Sequence, residues 1–219
     1  NARGKKVNFS WGELFYPTNR NQIIIATHVV PVLPSKVDTL WPIPVQPRLV
    51  VGHDLLSERF LEAPTEVRIF PTPFTERKNE ADSLFASTIS LKNGDNLLDF
   101  IESMPENACL NQYLSVFYGR GRGIHGISKF EGMLLEDWVL KHLPMSAERL
   151  QNGMFIVSAP DNYRGVFSYS EIVNRQDQAE VLLMDIGQHT DGRFRIFPAA
   201  DFFSDRSIKA VESIVYESF

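Results

Sequence analysis

The chain has 219 residues, of which 43% are hydrophobic, 11% aromatic and 22% charged, the composition of an ordinary folded domain rather than a disordered one. A net charge of -5 and a pI near 5.6 argue against a nucleic-acid-binding surface as its main business. The single cysteine, Cys109, excludes an internal disulfide and a multi-cysteine zinc site, and no apolar run nears the ~20 residues of a membrane helix.

The start lacks an initiator Met, and Asn1-Ala2 reads as an expression remnant on a trimmed native start. A removed export signal is compatible with it, so a periplasmic or otherwise exported setting is favoured over a cytoplasmic one. Ser10-x-x-Glu13 has the spacing of a capping box opening a short helix. Residues 23–27, β-branched at all but Ala26, suit a buried strand. Prolines at 31, 34, 42, 44 and 47 remove amide donors and fix φ, so that stretch reads as an extended strap across the surface or a linker, not a helix or central strand. Residues 49–52 and 66–70 are further short strand candidates. The charge-rich residues 75–82 read as an exposed turn and boundary. This divides the chain into an N-terminal proline-interrupted segment, 1–84, packed on a main domain, 85–219.

In the second part, Leu97, Ile101 and Met104 are spaced for one helical face, and Pro105 follows them. Residues 112–118 read as a strand leading into a glycine-arginine loop, 119–129. Leu135, Trp138, Val139, His142 and Leu143 recur at three- and four-residue steps, an amphipathic helix ended by Pro144. A strand at 154–158, a turn at Asp161-Asn162, a second capping box at Ser168-x-x-Glu171 and strands at 181–186 and 194–197 complete the pattern. Residues 207–216 fit a helix face and a strand alternation alike. Arg-Ile-Phe-Pro occurs at 68–71 and again at 195–198, but the neighbours do not match, so coincidence is a better reading than duplication.

The strongest chemical signal is the loop. Glycines at 119, 121, 123 and 126 let backbone approach a ligand, and Arg120 and Arg122 supply forks suited to phosphate or carboxylate. His125 and Lys129 add donors. The spacing matches neither the Walker loop nor the dinucleotide fingerprint. The five histidines never fall at the step that puts two ligands on one helix face, so no metal site is expected. His53-Asp54 reads as structural or surface, and His142 as a core-boundary residue. Cys109 has no adjacent base or cation and reads as a small buried hydrophobe. Glu131, Glu136 and Asp137 read as a solvated face.

From about residue 88 to 217 the order of these local patterns resembles the molybdopterin-binding domain of the sulfite oxidase family. The patterns are Gly119–Gly126, then Phe130-x-Gly132 with its helix, then Asp161-x-Tyr163 with Glu171. Phe194 to Pro198 and Arg206-Ser207-Ile208-Lys209 close the series. The resemblance implies an α+β fold of mixed sheets with short helices, the sulfite-oxidase-like molybdopterin-binding fold. It also implies a pocket in which Tyr163, Arg206, Ser207 and Lys209 join Arg120, Arg122, His125 and Lys129 around a pterin cofactor or other anionic small molecule. The family's metal-ligating cysteine would fall near residues 118–120, where this chain has none, and Cys109 lies too far upstream. The expectation is a divergent relative that binds an anion or a protein partner without standard molybdenum catalysis. A molybdopterin oxidoreductase with unusual ligation and an exported interaction module are the alternatives.

Overall fold

A computed structural model of the chain describes residues 4–19, 21–29, 46–71, 84–119, 123–189 and 192–219. Most of the proline strap and the charge-rich boundary at 75–82 lie outside them. In chain order the elements are α1 (Trp11–Phe15), β1 (Ile23–Ala26), β2 (Arg48–Val51), β3 (Leu61–Glu62), β4 (Ile89–Asn93), β5 (Asn96–Ile101), β6 (Leu110–Gly119) and β7 (Gly123–Leu134). There follow α2 (Leu135–His142), α3 (Ala147–Asn152), β8 (Gly153–Ser158), β9 (Arg164–Ser168), α4 (Tyr169–Val173), β10 (Val181–His189), β11 (Gly192–Pro198) and β12 (Ser213–Ser218). Two antiparallel sheets and one mixed sheet, with short helices, make the class α+β. The sheets run β1-β2-β3, β11-β10-β7-β6 and β5-β4-β12-β8-β9, and β12 against β4 is a parallel pair. The main core lies between helices and sheet, with Trp138, Phe155, Phe167, Tyr169 and Ile214 among its buried side chains.

Several expectations need correction. Residues 95–104 are not a helix: Gly94-Asp95, with Gly94 at φ 56°, turns β4 back as β5, whose Leu97 and Phe100 face solvent. The loop foreseen over 119–129 is mostly strand β7, paired with β6 almost to its tip. Residues 66–70 form no strand, and Val67 and Ile69 stand in solvent. The strand at 23–26 exists, yet Ile24 and Ile25 are exposed rather than buried. Cys109 is exposed, not buried. Of the two readings open for 207–216 the strand is the one that holds, entered from the irregular residues 207–212 and beginning at Ser213. Helix α3, capped by Ser146, escaped the periodicity argument because it spans only Ala147–Asn152.

The two capping sequences belong to two equivalent units. Helix α1, β1, β2 and the 3-10 turn Ser57–Arg59 succeed one another as α4, β10, β11 and the 3-10 turn Ser204–Arg206 do. Residues 9–26 correspond to 167–184 without a gap, and 48–62 to 195–209. Each unit carries Phe-Ser-x-x-Glu followed by Asp-x-x-Ser-x-Arg. The strand registers coincide: Ile23 opposes Val51 and Ala26 opposes Arg48, while Val181 opposes Pro198 and Met184 opposes Arg195. Beyond each 3-10 turn the chain returns in the same register, with Arg48 opposite Glu62 and Arg195 opposite Lys209. The units also grip each other reciprocally. The Phe202 amide donates to the Tyr16 carbonyl and the Leu55 amide to the Asn174 carbonyl, both at 2.8 Å. The second Arg-Ile-Phe-Pro lies in β11, but the first follows the first unit, so the repeat runs through other residues.

Candidate functional site

Where the units meet, the capping serines and glutamates are exchanged. Ser10 accepts the Glu13 amide at 2.9 Å and donates its hydroxyl to Glu171 at 2.9 Å. Ser168 accepts the Glu171 amide at 3.0 Å and donates to Glu13 at 2.9 Å. An arginine completes each half. Arg59 forks onto Asp54 at 2.8 and 2.5 Å and reaches Glu13 at 2.6 Å. Arg206 forks onto Asp201 at 2.8 and 2.7 Å and reaches Glu171 at 2.5 Å. The guanidiniums lie over Phe9 and Phe167, the residues just before the capping serines, at 4.7 and 4.5 Å from the ring centroids. Gly12 makes room for this, since a Cβ there would stand 2.3 Å from Arg206 Nε.

All of these polar side chains are buried. Burial alone would push the Glu13 carboxyl up, but Arg59 and His53 overcome it and hold it well below the ordinary carboxylate range. Burial raises Asp201 to about 6, with Arg206 only partly offsetting it. Glu13, His53 and Asp54 bring potential ligand atoms within 4.8 Å of one another. The Arg59 guanidinium already sits against both carboxylates, so this cluster contains its own cation. It is a closed clamp between the units, not a place a substrate reaches. His53-Asp54, read from sequence as structural or surface, is part of it.

The residues expected to hold an anion are distributed as follows. Arg120 and Arg122 lie outside the described residues, and of His125 the structure describes the backbone, within β7. Lys129 opposes Leu114 on the hairpin and pairs with Glu131 at 2.9 Å. That is four residues, or ~13 Å, back from Tyr118. Tyr163 donates its hydroxyl to the Asp205 carbonyl at 2.5 Å, tying the 161–163 turn to the second 3-10 turn. Arg206 faces inward, its charge balanced within the clamp. Ser207 accepts both Nε and Nη2 of Arg195, at 3.0 and 2.7 Å, and Lys209 is exposed directly across from Arg195. The end of β6 comes to the same region: the Tyr118 amide donates to the Phe202 carbonyl at 2.7 Å, and its ring meets Phe202 and Phe203.

Sequence reasoning missed Arg195, Phe202 and Phe203 at this end. It also missed Arg59 and Asp201 in the clamp. The signal that could have found them was the paired Asp-x-x-Ser-x-Arg, visible only when 54–59 and 201–206 are compared. Against known proteins, no family profile matches the chain and no curated protein matches it.

Proposed function

We propose that this chain is a divergent protein of the sulfite-oxidase-like, molybdopterin-binding type that captures an anionic small molecule at the end of its second unit, without thiolate-held molybdenum chemistry. One observation carries the reading. In the first unit Arg48 opposes Glu62 and pairs with it at 3.4 Å, whereas the equivalent positions in the second unit hold two cations, Arg195 and Lys209. Two cationic donors side by side can both engage a single anion through charge-assisted hydrogen bonds. Ser207 orients the Arg195 fork, Tyr163 fixes the adjoining turn, and β6 brings Tyr118, two residues before Arg120 in the sequence, against Phe202 and Phe203.

The donor set does not fit a thiolate-held metal. Cys109 precedes the first residue of β6 and Tyr118 is near its last, a separation of ~30 Å along an extended strand. Calorimetric titration with inorganic phosphate at low salt tests the reading. Replacing Arg195 and Lys209 together by Ala should weaken binding about tenfold or more, since each charge-assisted bond is worth over 1 kcal/mol. Equal affinity in that double variant sinks the site. Stoichiometric molybdenum and pterin fluorescence in natively purified protein would instead favour the oxidoreductase alternative.

A further inference from the structure

The comparison between the units exposes a difference in cover. In the second unit Tyr169, Ile172, Val173 and Leu183 all lie in the main core. Their equivalents in the first unit are Trp11, Leu14, Phe15 and Ile25, and all four are exposed. Trp11 is 59% exposed where Tyr169 is 0%, and Ile25 is 50% exposed where Leu183 is 0%. The same holds along the strand edge. Strand β7 pairs with β10 at Leu182 and Leu183, but among the described residues nothing pairs with the outer edge of β1 at the equivalent Ile24 and Ile25. Tyr118 covers Phe202 and Phe203, whereas their counterparts Leu55 and Leu56 are exposed.

We infer that this face of the first unit binds a second molecule of the same chain, with the two β1 edges paired antiparallel about a twofold axis and the α1 side chains packed alongside. Antiparallel is the sense in which β7 meets β10, so the second unit displays the arrangement that the first one lacks. The strand Ile23-Ile24-Ile25-Ala26 carries no charge, and a twofold axis maps its free edge onto that of an antiparallel copy, so each copy supplies the donors and acceptors the other needs. On the α1 side of the sheet Trp11, Leu14, Phe15 and Ile25 together leave roughly 400 Å² in water, about half of the ~800 Å² per partner of a stable interface. The chain's net charge of -5 opposes this only at range, and physiological salt screens it over ~8 Å.

Sedimentation equilibrium on the full chain tests the proposal, together with hydrogen exchange at high and low protein concentration. The expected result is a dimer whose amides in residues 23–26 exchange more slowly as concentration rises. Ile25→Lys should abolish the dimer, whereas Leu110→Lys, at an exposed position on β6, should leave it intact. Ile25→Thr removes apolar surface but keeps a strand-forming residue and guards against simple misfolding. It should weaken association less than Ile25→Lys does. A wild-type chain that stays monomeric at all concentrations overturns the proposal. So does a dimer that survives Ile25→Lys with unchanged exchange at residues 23–26.

Discussion

At the scale of single residues, the exchanged caps concentrate the largest expected effects. Arg59→Met would leave Glu13 and Asp54 buried without their cation, and the cost of breaking such a pair from one side is about 3–5 kcal/mol. Urea unfolding should show that loss, with Arg206→Met close to it because the geometry is repeated. Glu13 sets an acid limit. Its folded-state value lies below the ordinary 4.5, so its contribution is complete above pH 4.5 and is lost as pH falls below that. Melting temperatures from pH 7 to 3 should fall on the acid side, and Glu13→Gln should lower the neutral value while flattening that limb. Glu136 runs the other way. Burial first, then the charges of Asp137 and Glu180, push it up to about 7, so stability is greatest below pH 4.5 and declines as pH rises through 7. Glu136→Gln should therefore stabilise the protein at pH 8 by about 1 kcal/mol, screening by water limiting the gain, and change little at pH 4.

At the scale of elements, the backbone signals of short range were the ones that could be read. Both Ser-x-x-Glu spacings mark helix starts, and in α4 the box is reciprocal. In α1 the serine caps as expected, but Glu13 turns away to Arg59, a tertiary partner no local pattern announces. Helix α2 was legible because its apolar face repeats over two turns, whereas β5 was misread because Leu97, Ile101 and Met104 imitate a helical face. The decisive residue there was Gly94 at positive φ, and Gly94→Ala should cost about 1 kcal/mol in a thermal melt. The loop at 119–129 was misjudged for a related reason. Gly126, at φ 79°, absorbs an extra residue in β7, which lets Ile124 and Ile127 both oppose β6 and hides the alternation that betrays a strand. Of the proposed anion site, Ser207 and Lys209 were visible in sequence, while Arg195 was not. Its significance appears only beside Arg48 and Glu62.

At the scale of the whole molecule, the equivalence of the units changes what the prolines mean. Twenty-one residues separate Ala26 from Arg48, and ten separate Met184 from Arg195, although the strands on either side keep one register. The surplus falls between two strands that pair with each other in one sheet. Closing a longer loop costs little, since each doubling of length adds only about 0.6 kcal/mol. Excising eleven residues within 30–45 should give a chain that still melts cooperatively and within a few degrees of the parent. Whatever that stretch contributes would then be lost on its own, which makes it a detachable attachment whose task can be assayed without disturbing the architecture that carries it.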